Sequence, residues 1–375
     1  TTALDNWFAA AQEQTYGDIT LWNVSAITDF SSAFTGRTGG NLATSANFNE
    51  DIGNWDMGSA TSLANMFYGA EAFNQDLSGW DVTKVSNMSS TFRGAIAFNN
   101  GEVGTNTSIK PLTWTTTALT SIGSIFHSAT AFNQNITGWN TEKVTNMSGA
   151  FYGASLFTQA INTSGNNWNT ALVTTMANMF SGAAAFNGNI SSWNVGKVTT
   201  MEDAFYIPGG TNVGVFNTDI SAWDTRAVVN FDNCFRRQTS FAANLHYWNV
   251  ENVTSMTDMF NGASAFTTAY SDKAGYDNTP EKWFFIIKVD DLTKLRAAAT
   301  EFCTPTADTN STEGTDLAHV KYGLPKYWFD PIHANGNCTD FYNLFQKTRC
   351  GSDGLFNEDL SDWKTHKVTT MEGMF

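Results

Sequence analysis

Tryptophan punctuates most of the chain, at positions 22, 55, 80, 114, 139, 168, 193, 223, 248 and again at 363. Counted from each Trp, apolar or small residues return five, eight, eleven and twelve places later. After Trp80 they are Val85, Met88, Thr91 and Phe92; after Trp139, Val144, Met147, Ala150 and Phe151; after Trp248, Val253, Met256, Met259 and Phe260. Offsets of eight, eleven and twelve make an i, i+3, i+4 stripe, which predicts one face of a short helix. Ser or Thr six places after Trp in nine of ten copies (Thr61, Ser86 and Thr120 among them) reads as its N-cap. Gly fourteen places after Trp (Gly69, Gly94, Gly153, Gly182, Gly262) reads as its left-handed end. A helix of about two turns does not survive alone, so the copies must stack.

A second Phe follows each predicted helix, usually with Asn behind it, as in Phe73-Asn74, Phe132-Asn133 and Phe186-Asn187. An aliphatic residue three before the next Trp leads into a predicted strand. Asn or Asp follows Trp in eight of ten copies; stacked about 4.8 Å apart, these side chains are expected to form a ladder between coils. The predicted fold is a repeat solenoid with one short parallel β-strand and one short helix per coil. Its core is expected to hold Trp55, Trp80, Trp139, Trp168, Trp193, Trp223 and Trp248, with Phe67, Phe92, Phe151, Phe180 and Phe260.

Successive Trp residues lie 33, 25, 34, 25, 29, 25, 30 and 25 apart, so long and short coils alternate. Every insertion falls between the predicted helix and the next Trp: 37–47, 99–111, 159–165 and 207–215. Insertions at one phase of a stacked array emerge along one side. They mark either a binding or assembly ridge or drift after duplication of a two-coil unit. Leu4 to Ala11 with Tyr16-Gly17, and Leu295 to Ala299 with Tyr322-Gly323, precede Trp22 and Trp328 at the same six-residue Tyr-to-Trp spacing. Both read as helical caps, which repeat arrays need at their open ends. The expected organisation is a cap helix at 1–19, about nine coils over 20–270, a closing strand or linker at 271–289 that includes the apolar run 283–289, and a cap with the first coils of a second solenoid at 290–375. The last residues, Met374-Phe375, fall midway through a coil, so the natural polypeptide is expected to continue.

The string Phe73-Asn74-Gln75-Asp76-Leu77-Ser78-Gly79-Trp80-Asp81-Val82, with Val85, Ser86, Asn87 and Met88, resembles the 25-residue repeat of BspA-like surface proteins. That repeat is also called the mycoplasma surface lipoprotein repeat. The resemblance covers about 20–267 and resumes around 320–375. It implies a leucine-rich-repeat-like solenoid on secreted or cell-surface proteins, with adhesion roles in some members and no catalytic residues to carry over. The long alternate coils and the segment after 270 depart from the family pattern.

Composition narrows the role. Charged residues are 15% of the chain, against roughly a quarter in ordinary soluble domains, so the surface must be largely Asn, Thr and Ser. A net charge of −15 argues against nucleic acid and anionic membrane surfaces, which are bound through Lys and Arg. No apolar run is long enough to span a bilayer. The chain opens on Thr1 without a signal peptide, as a mature secreted form or a cytosolic protein would.

Among the four cysteines, Cys234 occupies the slot of Met179 and Met259, a buried free thiol, and Cys303 with Cys350 is the expected disulfide. Ten Asn-X-Ser/Thr triplets occur, of which Asn106, Asn162 and Asn310 fall in predicted loops and are the expected glycan acceptors. The five His residues show no ligand spacing. Asp76, Asp219 and Asp359 recur four before Trp, where a stacked row of oxygens would suit Ca²⁺, although turn capping explains them better; no cofactor is expected. The expected role is a non-enzymatic extracellular structural or adhesive protein of a cell surface, wall layer or filament. It would act as a rigid rod that self-associates end to end or binds other surface proteins or glycans. The alternative is a recognition module for carbohydrate or protein.

Overall fold

The computed structural model describes residues 17–35, 46–103, 111–163, 168–209, 213–245, 248–250 and 252–270. The chain divides into two compact units, 1–243 with 252–269 and 244–251 with 270–375. The expected cap helix lies almost wholly outside the described residues, as do the segment 271–289 and the second array. In the second unit, Leu245 and Trp248 are buried and the Trp248 amide donates to the Leu245 carbonyl at 2.9 Å.

The first unit is a stack of coils joined by single parallel bridges. They run Asp29↔Ser62, Ser62↔Asn87, Asn87↔Ser121, Ser121↔Asn146, Asn146↔Thr175, Thr175↔Thr200, Thr200↔Asn230 and Asn230↔Ser255. Each paired residue stands seven places after its Trp, so the register never slips across coils of different length. Complete helices among the described residues are a 3₁₀ turn, Ile19–Leu21, capped by the Asp18 side chain, and α1, Ser264–Tyr270.

The helix predicted in each coil is therefore absent from the described coils. Its buried stripe is real: Leu63, Met66 and Phe67 are all fully buried, as are Met147, Ala150 and Phe151. The backbone that carries the stripe is a run of turns. The residue ten places after Trp is left-handed in all nine coils: Ser32, Asn65, Ser90, Ser124, Gly149, Asn178, Asp203, Asn233 and Asp258. A left-handed residue every turn forbids an α-helix and sends alternate amides out of the coil. In the second coil the amides of Leu63, Asn65, Phe67 and Gly69 donate to Asn87, Ser89, Thr91 and Arg93 of the next coil at 2.8–2.9 Å. The intervening amides of Met66, Tyr68 and Ala70 close turns onto Leu63, Asn65 and Phe67 at 3.0–3.1 Å.

Nor is the recurrent Ser/Thr a helix cap. Its amide and hydroxyl both reach the carbonyl of the same position one coil earlier, as Thr120 does on Ser86 (2.8 and 2.9 Å) and Thr199 on Thr174 (2.9 and 3.1 Å). The glycines at fourteen are left-handed as expected, with φ +73 at Gly94 and +72 at Gly182. There backbone packs on backbone: a Cβ on Gly182 would sit 3.3 Å from the Gly153 Cα.

Three aromatic columns fill the interior. Phe34, Phe67, Phe92, Phe126, Phe151, Phe180, Phe205, Phe235 and Phe260 stack at centroid spacings of 5.2–5.8 Å. A second column, from Phe48 and Phe73 to Phe241 and Phe266, runs beside it at 5.5–6.1 Å. Within a coil the two rings lie face to face, 3.6 Å apart for Phe126 and Phe132. The indoles of Trp80, Trp114 and Trp139, and of Trp168, Trp193 and Trp223, form the third column at 5.7–6.4 Å. All the expected core Trp and Phe residues are buried. From Trp55 to Trp223 each indole N–H finds an aliphatic residue's carbonyl in the coil before: Trp80 on Ile52 (3.1 Å), Trp139 on Leu112 (2.8 Å) and Trp193 on Ile161 (2.7 Å). A buried indole needs such an acceptor.

An asparagine ladder exists, but behind the second Phe and not behind Trp. The Oδ1 of Asn49 accepts from the Asn74 amide, Asn74 from Asn99, Asn99 from Asn133 and Asn133 from Thr158, at 2.8–3.0 Å. Gln134 Nε2 adds a bond to Asn99 Oδ1 at 3.0 Å. The side chains after Trp instead cap their own turn, as Asp81 Oδ1 does for the Thr83 amide (3.0 Å) and Asn140 for Glu142 (2.9 Å). One carboxamide cannot face its own turn and the next coil at once, and the position beside the buried Phe is the one that lies between coils.

Candidate interaction surface

The ladder of bridges carries short polar side chains on its solvent side. Thr28, Thr61, Thr120, Thr145, Thr174 and Thr199 are exposed, beside the half-buried bridge residues Ser62, Asn87, Ser121, Asn146, Thr175 and Thr200. Hydroxyls link coils across this face, Ser31 to Ser62 and Ser89 to Ser121, each at 2.7 Å. From the second to the sixth coil no charged residue stands six, seven, nine or ten places after Trp.

Charge enters further along. Glu202, Asp203, Asp232 and Asp258 gather on the same side, where Arg236 pairs with Asp258 at 3.2 Å and Asn230 Nδ2 donates to Glu202 Oε2 at 3.3 Å. Partial burial raises the carboxyl pKa of Asp203, and the neighbouring Asp232 charge adds to the rise; Asn233 and the Arg236 charge oppose it. A carboxyl raised on folding stabilises the fold below its unfolded pKa and loses that contribution as pH rises through the folded value. Asp203→Asn is therefore expected to raise the melting temperature at neutral pH, with the difference shrinking as pH falls through the raised folded pKa and lost below about 4. Asn suits the site, since Asn65, Asn178 and Asn233 hold the same left-handed position.

Beside the Phe column, an outer file of planar side chains stands thirteen places after Trp. The Arg93 guanidinium lies over the Tyr68 ring at 5.4 Å, His127 stacks on Tyr152 at 4.3 Å, and Arg236 covers Tyr206 at 5.6 Å. Burial and the Arg93 charge lower the His127 pKa, which keeps its ring neutral at pH 7. His127 is half-buried. The signal available was Tyr, Arg or His at this offset in six coils.

Among the described residues the recurrent carboxylates are turn caps; Asp359 lies outside them. Asp76 Oδ1 accepts from the Ser78 amide at 3.0 Å and Asp219 from Ser221 at 2.9 Å. Hydrogen bonds from the Ser or Thr two residues on lower the pKa values of Asp29, Asp81 and Asp219, and Arg226 does the same for Asp224. Among the described residues no three His, Cys, Asp or Glu side chains gather as a metal site would require. No helix among them is long and apolar enough to cross a membrane.

The insertions stand on hydrogen-bonded feet that sequence reading missed. Fully buried Asn100 accepts from the Leu77 amide (2.8 Å) and donates to Ser78 Oγ (2.9 Å), while the Gly101 amide reaches Asn74 Oδ1 (2.9 Å). Thr163 grips Ser192 through its amide (3.0 Å) and hydroxyl (2.9 Å). Gln238 accepts from the Phe216 amide at 3.2 Å and donates to the Phe205 carbonyl at 2.6 Å. Parts of all four insertions (36–45, 104–110, 164–167 and 210–212) lie outside the described residues, and with them Asn106; Asn310, Cys303 and Cys350 lie outside as well. Asn162 is half-buried. Cys234 is a fully buried free thiol whose pKa burial pushes well up, as its place in the Met slot implies.

The family model described as "Mycoplasma protein of unknown function, DUF285" matches residues 2–110, 104–212, 209–285 and 333–375, most of the chain. The chain belongs to the DUF285 family. No curated protein and no solved structure matches it. The described coils of this DUF285 chain thus share an aromatic interior and an amide and turn framework, with hydroxyls along one side and, in six of them, planar side chains along another. The match resumes at 333–375, beyond the described coils.

Proposed function

We propose that this DUF285 protein is a non-enzymatic structural or adhesive element of a cell surface, wall layer or filament, built as a leucine-rich-repeat-like rod of the BspA kind. The observation that carries the reading is that its polar groups recur in files of like residues. The Thr file, the Asn ladder and the turn-capping Asp and Asn each repeat one chemistry from coil to coil. Catalysis calls for unlike groups converging on one point. A file of like groups suits an extended surface that meets another extended surface. Low charge and a hydroxyl- and amide-rich face fit an extracellular setting, with end-to-end self-association or other surface proteins and glycans as partners.

A second reading, recognition of a carbohydrate or protein by the ridge of insertions, is favoured by the feet of the long coils. Asn100 and Gln238 commit buried hydrogen bonds to holding those loops in place, which drift alone would not need. Negative-stain electron microscopy of the purified chain separates the two. Ordered polymers are the expected result for the structural role; monodisperse particles that bind a glycan array would replace it with recognition.

A further inference from the structure

Seven of the Asn-X-Ser/Thr asparagines lie among the described residues, and three of them, Asn23, Asn189 and Asn252, are exposed. Their carboxamides are used differently. Asn252 spends its nitrogen: Nδ2 donates to the Arg226 carbonyl in the coil before, at 2.8 Å. Asn23 and Asn189 serve through oxygen. Asn23 Oδ1 accepts from the Ser25 amide and hydroxyl at 3.1 and 2.8 Å, and Asn189 Oδ1 from those of Ser191 at 3.0 and 2.8 Å.

Other coils show that oxygen alone suffices at these two places. One residue after Trp, Asp56 and Asp81 make the same bond to the amide two residues on, at 3.0 Å. Four before Trp, Asp51, Asp76 and Asp219 do so at 2.9–3.1 Å. An Asp has no side-chain N–H, so the turn does not require one.

We propose that Asn23 and Asn189 are acceptor sites for N-linked glycans. The bond formed joins Nδ2 to the anomeric carbon of a lipid-pyrophosphate-linked oligosaccharide; Nδ2 gives up one proton and the lipid pyrophosphate leaves. Oδ1 remains a carbonyl oxygen and keeps both hydrogen bonds, so the modified coil loses nothing that holds it. The proposal draws its biological occasion from the extracellular reading. Its test does not, because a host leader supplies the route.

The full chain is secreted from a glycosylating yeast behind a host leader, and glycans are released enzymatically in heavy-oxygen water. Peptide mapping then reads which asparagines carried them, with the microsomal pool mapped in the same way where the chain is retained. Conversion at Asn23 and Asn189, with Asn252 unmodified, is expected. Both sites bare, or Asn252 occupied, overturns the proposal. In unglycosylated protein from bacteria, Asn189→Asp is expected to keep the wild-type melting temperature and Asn189→Ala to lower it. An Asp variant as unstable as the Ala variant would show that the nitrogen is needed, and would also overturn it.

Discussion

Phe126→Ala is expected to cost about 3–5 kcal/mol of stability, read as a shift of the denaturant midpoint followed by Trp fluorescence. The Phe126 ring is fully buried and lies 5.7 Å from both Phe92 and Phe151 along its column. It also lies 3.6 Å from Phe132 across the coil. Its removal opens a gap with rings on three sides, and the backbone on either side is pinned by the Phe126-to-Ala150 and Ser128-to-Tyr152 bonds, so the site cannot collapse. The control is Leu156→Ala, a side chain 40% exposed, for which a change within about 0.5 kcal/mol is expected. Equal effects at the two sites would mean that the aromatic columns do not carry the fold.

Asn133→Ala tests the amide ladder. Asn133 Oδ1 accepts from the Thr158 amide at 2.9 Å, the Thr158 hydroxyl at 3.1 Å and Gln159 Nε2 at 3.0 Å. Gln159 keeps a second acceptor, the Asn133 carbonyl at 3.1 Å, but no second acceptor replaces the lost oxygen for the Thr158 amide. Thr158 is an exposed residue, so water replaces part of the lost bond, and a loss of about 1 kcal/mol is expected. Faster hydrogen exchange of the Thr158 amide should accompany it. Asn140→Asp is expected to be neutral within about 0.5 kcal/mol, because Asp56 and Asp81 perform the same turn-capping task. The contrast between two asparagines in one coil separates a bond that joins coils from a bond that closes a turn.

The aromatic columns were legible in the sequence because Trp and the first Phe keep a fixed offset of twelve, whatever the length of the intervening loop. Burial followed directly. Backbone conformation did not, because an i, i+3, i+4 stripe is common to a helix and to a run of turns that returns to the same face. The distinguishing signal stood at the tenth position, where Ser, Asn, Asp and Gly alternate across nine coils. These residues are poor helix formers, and Asn, Asp and Gly tolerate the left-handed region well. The Thr at the sixth position misled for a related reason, since a hydroxyl that caps a helix and one that reaches a neighbouring carbonyl look identical in sequence. The Asn ladder was assigned to the wrong Asn because both positions recur equally. Only the geometry shows that Asn99 and Asn133 face the next coil while Asn140 faces its own turn. The feet of the insertions, Asn100 and Gln238, were invisible because each occurs once and repeats nothing.

Hydrogen bonds between coils run only from one coil to the next along the described stack, as in Phe92 to Ile125, Phe126 to Ala150 and Phe151 to Met179. Such a chain behaves as a line of domino-like neighbours, in which each coil contributes its own term and one junction term on either side. Damage then stays where it falls: a weakened coil frays locally and the coils two places away keep their full protection. Selection on a protein of this kind can duplicate, lose or lengthen a unit without renegotiating the rest.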